Sequence, residues 1–90
     1  MIAPRNNLTR VVSGLIGRNK PPIEIKILSF KKDRAVVIRL ASAEQVEVVE
    51  DGFDHRSFFC NETDLPKLIR DIADREFPRS HQLKISLKRN

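Results

Sequence analysis

Several segments of this chain alternate apolar and polar residues with a period of two, the pattern of β-strands that bury one side. The clearest reads IEIKIL, in which Ile23, Ile25 and Ile27 share one side while Glu24 and Lys26 share the other. Similar alternation covers residues 35–40, 46–50, 53–60 and 83–88. The pattern predicts five strands and restricts the chain to folds built around a β-sheet.

Turn signals separate these predicted strands. Pro21-Pro22 precedes the first, and the charged residues 31–34 turn the chain after it. Asp51-Gly52 is the strongest hairpin signal, because a tight primed turn needs positive φ and Gly accepts it without strain. We therefore predict a hairpin that returns the chain along residues 53–60.

Residues 63–77 carry the clearest helical pattern. Thr63 is suited to cap the start, Pro66 is tolerated in the first turn, and Pro78 ends the helix. One apolar stripe recurs at helical spacing and consists of Leu65, Leu68, Ile69, Ile72, Ala73 and Phe77. Because the opposite side is charged with both signs, we expect it to face solvent.

The N-terminal residues allow two interpretations. Residues 1–7 show no periodicity and are expected to form a frayed leader. The apolar residues that follow recur at helical spacing up to Gly17, namely Leu8, Val11, Val12, Leu15 and Ile16. Residues 1–20 thus form either a short helix or a flexible basic arm, and the arm would carry Arg5, Arg10, Arg18 and Lys20. Residues 21–90 are expected to form a single α+β domain.

The order of elements is (α)-β-β-β-β-α-β. A helix between the fourth and fifth strands lets the last strand return beside an earlier one. This order predicts an α+β fold, a two-layer sandwich with a mostly antiparallel sheet and one or two helices on one face.

Charge is distributed unevenly along the 90 residues. The formal net charge is +5, divided as +7 over residues 1–39, −6 over 40–65 and +4 over 66–90. A basic surface of this kind suits a polyanionic partner. Because no apolar stretch has the length of a signal peptide or membrane span, we expect a cytoplasmic protein with no membrane partner.

The sheet face away from the helices is the predicted contact surface. If the isoleucine and leucine rows are covered, the other face collects Lys26, Leu28, Phe30, Val37, Arg39, Val49, Lys84, Ser86 and Lys88. Single-stranded nucleic acid binds such faces by stacking bases on aromatic rings while cations contact phosphates. We therefore predict a small module that binds RNA or single-stranded DNA.

The residues predicted to carry this binding follow from the alternation. Phosphate contacts are assigned to Lys26, Arg39, Lys84, Lys88 and Arg89. Phe58 is the candidate stacking ring, because Phe58 and Phe59 are adjacent on a strand and regular pleating points one of them outward. A bulge between them would instead turn both rings inward.

Protein interaction is the alternative function. In that case Leu28, Val37 and Val49 form an apolar interface that pairs with a second copy or another protein. The acidic residues between 44 and 54 would then dock a basic protein partner.

Catalytic and metal chemistry find little support in the sequence. His55, Cys60 and His81 lack the close Cys or His pairs of a zinc site, although Asp54 or Glu62 could complete a three-ligand site. Ser57 and His55 share a strand face but stand about 6.5 to 7 Å apart, too far for a hydrogen bond. We expect no enzyme activity, no cofactor and no metal, with Cys60 as a small buried residue.

Overall fold

The computed structural model describes residues 1–29, 34–42, 44–52, 55–77 and 81–89. These residues form a compact α+β unit with a six-stranded antiparallel sheet and two α-helices, so the predicted α+β class is confirmed. In chain order the elements are β1 (Ile2–Pro4), a 3-10 turn (Arg5–Asn7), α1 (Leu8–Arg18), β2 (Ile23–Ser29), β3 (Ala35–Ser42), β4 (Gln45–Asp51), β5 (His55–Cys60), α2 (Leu65–Glu76) and β6 (Gln82–Arg89).

The strands lie in the order β1-β6-β2-β3-β4-β5. Every neighbouring pair is antiparallel, and β1 and β5 form the two edges of the sheet within the described residues. The last strand therefore returns beside an earlier one, as predicted, and inserts between β1 and β2. Helix α2 carries the chain from the β5 edge back across to β6.

The prediction of a frayed leader over residues 1–7 is wrong, because the N-terminal residues form a strand. Ile2 pairs with Lys84 and Ala3 with Leu83, so β1 extends the sheet. The amide of Ile85 also donates to the carbonyl of Met1 at 2.8 Å. Three residues are too few to show a period, and this strand exists only because β6, some 80 residues away in sequence, supplies its partner. The helical interpretation of the next residues is confirmed by α1, which buries Leu8 and Val12, among others.

One core joins the helices to alternate residues of the strands. Its buried members include Ile23, Ile25, Ile27, Val36, Ile38, Leu40, Val46, Val48, Leu83 and Ile85 from the sheet, with Leu8, Val12, Leu15, Leu65, Ile69, Ile72 and Phe77 from or next to the helices. We call this side of the sheet the core face. The residues of both predicted apolar helix stripes are thus buried in the core, except Leu68 and Val11, which are half-buried.

The start of α2 differs from the prediction at Thr63. The residue before the helix is Asp64, and its own side chain makes no capping bond. Instead the Asn61 side-chain oxygen accepts the Asp64 amide at 2.9 Å. Pro66 stands in the first turn, as expected, because no backbone donor is needed there.

The β4–β5 hairpin is confirmed, but the predicted reason for Gly52 is wrong. Asp51 pairs with His55, and none of the described glycines has positive φ. A Cβ at Gly52 would overlap Glu76 Oε1 and lie 2.9 Å from Arg34 Cβ. Glycine is therefore required because β4 approaches α2 and Arg34 closely, rather than for a primed turn; residues 53–54 lie outside the described part.

Candidate contact surface

The side of the sheet opposite the core face is formed by the other alternate residues, and none of those described is buried. We call this side the open face. Strand register places its residues in three rows, each running from the β1 or β6 side towards β5. The first row is Ile2, Lys84, Leu28, Ala35, Asp51 and His55; the second is Ser86, Lys26, Val37, Val49 and Ser57; the third is Lys88, Glu24, Arg39, Glu47 and Phe59.

Arg39 lies in the third row between two carboxylates. Its Nε is 3.6 Å from Glu24 Oε2 on β2, and its Nη1 donates to Glu47 Oε1 on β4 at 3.2 Å. The guanidinium therefore ties three strands together across the open face. A phosphate at Arg39, as predicted from the sequence, would have to compete with both carboxylates.

Three of the predicted cations lie close together on neighbouring strands. Lys26 of β2 is paired in register with Ser86 of β6, and Lys84 and Lys88 stand two residues to either side of Ser86. Arg89 is separate from them, because it pairs with Ile23 and so belongs to the core-face set at the exposed end of β6. The structure thus brings together three of the five residues assigned to phosphate contact.

The outward aromatic ring is Phe59 rather than Phe58. Phe58 pairs with Val48 and packs against the core, whereas Phe59 pairs with Glu47 and is 77% exposed. The β4–β5 register runs without a shift through both residues, so there is no bulge that turns both rings inward. The alternation of Val46 and Val48 on the partner strand was the sequence signal that could have decided between them.

The apolar residues of the predicted interface do meet. Val37 and Val49 are directly paired on β3 and β4, and Leu28 pairs with Ala35 one row away. All four are half-buried. They form an apolar centre on the open face, whereas Phe30 lies outside the described residues.

Charge divides around this apolar centre. The lysines lie on the β6 and β2 side, while Glu47 and Asp51 lie on β4. Asp51 Oδ1 is 3.1 Å from His55 Nδ1 at the β5 edge. The open face is therefore basic on one side, acidic on the other and apolar between.

A second group of charges, which the sequence did not indicate, lies on the core face. Glu50 of β4 is 1% exposed, and both its carboxylate oxygens accept hydrogen bonds from Arg75 of α2, one of them from Nε at 3.3 Å. Arg56 Nε of β5 is 4.0 Å from the same carboxylate. Such a paired and enclosed charge joins α2 to the sheet.

His55, Ser57, Cys60, Glu62 and His81, which were considered for chemistry, lie in the described part of the chain. Among the described residues, no group of three or more His, Cys, Asp or Glu side chains is placed to hold a metal ion. Cys60 is half-buried, and burial, followed by the negative charge of Asp64, raises the pKa of its thiol. Asp54 lies outside the described part of the chain.

A shallow groove of about 560 Å³ lies between α1 and the start of α2. Ser13 and Ile16 line one side of it and Leu65 and Pro66 the other. Glu44 and the residues before α2 that border it are exposed, so the groove opens widely to solvent.

Two further observations bear on the kind of protein. Of the helices in the described ranges, neither is long and apolar enough to cross a membrane. Comparison with family models, curated proteins and solved structures finds no match to this chain.

Proposed function

We propose that this chain is a small non-catalytic binding module whose open face contacts another protein. The proposal includes the two-layer arrangement expected from the sequence, with α1 and α2 on the core face and the open face uncovered. The observation that carries it is the pattern of the open face, a half-buried apolar centre between a basic and an acidic side. Protein interfaces combine an apolar centre with a polar rim in this way.

The mixed signs of charge favour a protein over a polyanion. A surface that follows a phosphate backbone gains affinity by presenting positive charges without negative charges between them. Here Glu24, Glu47 and Asp51 share the face with the cations, and two of these carboxylates already pair with Arg39. Phe59, the outward ring, is three strands away from Lys26. Stacking and phosphate contact would therefore be separated on this face.

The test compares a variant of the open face with a matched variant elsewhere. Val37→Lys places a charge in the apolar centre, and Ser13→Lys makes the same change of charge on the exposed side of α1. Tagged protein is recovered from the cells that produce it, after mild cross-linking and nuclease treatment, and the bound proteins, a second copy included, are quantified. We expect Val37→Lys to lower the bound protein at least about tenfold, a loss of roughly 1.4 kcal/mol, and Ser13→Lys to leave it unchanged.

Far-UV circular dichroism would first establish that both variants fold. Equal recovery by the two variants would refute a protein contact at the open face. Loss of all bound material on nuclease treatment would do so as well, since nucleic acid would then be the partner.

Nucleic-acid binding is the second candidate, supported by the cluster of Lys26, Lys84 and Lys88 on neighbouring strands. Its test is an amide NMR titration with short single-stranded and duplex RNA and DNA, at low and near-physiological salt. Shifts confined to β2 and β6 that weaken steeply with salt would support it. If no amide moves at low salt, this candidate is eliminated.

A further inference from the structure

We propose that the protein partner of the open face is a second copy of this chain, related by a two-fold axis that runs parallel to the strands between β2 and β3. This inference rests on the proposed function and specifies its partner. It is carried by the charges of the first and third rows, which meet opposite charges of the second copy under this rotation.

The rotation follows from the strand order. The axis lies midway between the two facing sheets and divides β1-β6-β2 from β3-β4-β5. Turning the second copy about it places β3 over β2, β4 over β6 and β5 over β1. Since the axis is parallel to the strands, each row faces the same row of the other copy.

Opposite charges then meet in two of the three rows. Lys84 faces Asp51 of the second copy in the first row. Lys88 faces Glu47 and Glu24 faces Arg39 in the third row, and the symmetry repeats each contact. Because the strands of a sheet twist relative to one another, the contacts nearest the axis align best.

Leu28, Ala35 and Val37 of the apolar centre lie on the two strands next to the axis, and Val49 lies one strand away on β4. Leu28 faces Ala35 of the second copy, and Val37 faces the aliphatic stem of Lys26, whose ammonium group can extend to the rim. The half-buried side chains of Leu28, Ala35 and Val37 would be enclosed by the contact, while the ion pairs surround them.

A symmetric arrangement with the axis turned by 90° is disfavoured by the same charges. A two-fold axis running across the strands would place each strand over itself with its rows reversed. Lys84 would then face Lys88, and Asp51 would face Glu47. Like charges brought together in this way oppose association.

The area of the open face is sufficient for a dimer. The five longer strands, about 4.8 Å apart and about seven residues long, present a face of roughly 19 by 24 Å, to which the three-residue β1 adds a short edge. Two such faces would bury about 1,000 Å² in total, the size at which specific interfaces begin. We therefore expect a reversible dimer.

The decisive experiment mixes two variants that each disrupt the dimer. Lys84→Glu and Asp51→Lys each set like charges against one another twice, so each alone should raise the dissociation constant about tenfold or more. In a one-to-one mixture both contacts pair opposite charges again, and a heterodimer of nearly wild-type affinity should form. Sedimentation velocity with interference optics measures this, because the chain has neither Trp nor Tyr.

Lys67→Glu on the exposed side of α2 is the control, and it should leave the dissociation constant unchanged. Lys88→Glu, at the exposed end of β6, supplies a second disrupting variant if Lys84→Glu does not fold. Tighter association of Lys84→Glu would refute the proposed axis, because it would indicate the axis across the strands, in which the new glutamate faces Lys88 of the second copy. A mixture no tighter than its components would overturn it as well.

If the wild-type protein stays monomeric up to about millimolar concentration, the proposal that the partner is a second copy of this chain is refuted. That result leaves the proposed function standing if Val37→Lys still lowers the recovery of another protein. Both proposals fail if Val37→Lys leaves the recovery of every protein unchanged and Lys84→Glu, like the control Lys67→Glu, leaves the dissociation constant of the dimer unchanged.

Discussion

At Gly52 a single missing side chain lets two elements approach. The neighbouring atoms are Glu76 Oε1 of α2 and Cβ and Cγ of Arg34, the last two 2.9 and 3.0 Å from where a Cβ would stand. Glu76 is 1% exposed and Arg34 Nη1 donates to its carbonyl at 3.0 Å, so these neighbours have little room to move. Size, rather than backbone conformation, makes the position specific for glycine.

Gly52→Ala should therefore lower the free energy of unfolding by about 1 to 3 kcal/mol, the usual cost of overpacking. Gly14→Ala is the matched control, because a Cβ there meets Arg18 at an ordinary 3.7 Å within a helix. The control should raise stability by about 0.5 to 1 kcal/mol. Urea unfolding followed by far-UV circular dichroism measures both, and equal effects of the two changes would contradict the close approach.

Cys60 offers a test of local electrostatics. Because burial and then Asp64 raise the pKa of its thiol, less thiolate is present near neutral pH than in the unfolded chain. Iodoacetamide should react several-fold more slowly with the folded protein, and the rate should rise only at higher pH.

Asp64→Asn removes a negative charge, lowers the thiol pKa and should speed the reaction at constant pH. Asp71→Asn on the exposed side of α2 should not. An unchanged reaction rate in Asp64→Asn would mean that burial alone raises the pKa of the Cys60 thiol.

The attachment of α2 to the sheet depends on more than its apolar stripe. Ile69 and Ile72 pack on the core face, and Arg75 reaches Glu50 of β4 from the same side of the helix. Among the described residues, no buried side-chain nitrogen or oxygen lacks a hydrogen-bond partner. Removal of Arg75 would take away the hydrogen bonds that both carboxylate oxygens of Glu50 accept from it, while Arg56 Nε stays 4.0 Å away.

Arg75→Ala is accordingly expected to cost about 3 kcal/mol of stability, as when one partner of a buried ion pair is removed. Arg70→Ala, on the exposed side of the same helix, should stay within about 0.5 kcal/mol of the wild type. The double variant Glu50→Gln/Arg75→Ala should lose less than the sum of the single changes, because the uncompensated charge is gone. Strict additivity in urea unfolding would show that the two groups do not interact.

For the whole molecule, charge separation along the chain becomes charge separation across the sheet. The acidic segment 40–65 supplies β4 and β5, whereas the basic segments supply β2 and β6, which lie side by side. This places Lys26, Lys84 and Lys88 on one half of the open face and Glu47 and Asp51 on the other, with the Glu24–Arg39 pair at the boundary between β2 and β3. Such a distribution is the condition for self-complementarity about an axis between these two strands.

If a second copy binds there, the thermal midpoint of unfolding should depend on protein concentration, because only folded chains form the dimer. We expect the thermal midpoint of the wild type to rise by about 3 to 5 °C for each tenfold increase in concentration above the dissociation constant. Lys84→Glu should show a weaker dependence. A midpoint independent of concentration would argue against association of native chains.

The sequence determined the parts of this protein that depend on local periodicity. Alternation predicted the strands around Ile25, Ile38, Val48 and Ile85, and the 3.6-residue stripe predicted α2, because burial of one side leaves a regular trace along the chain. The membership of Lys26, Val37 and Lys84 on one face followed from the same alternation.

Only the tertiary structure decided what depends on contacts between distant residues. It placed β1 beside β6, turned Phe59 outward, closed Glu24 and Glu47 around Arg39 and enclosed Glu50 with Arg75. None of these has a local period, since each is set by which strand or helix lies next to which. The row-by-row complementarity of the open face belongs to this second kind, because strand order and register decide which charges stand opposite one another.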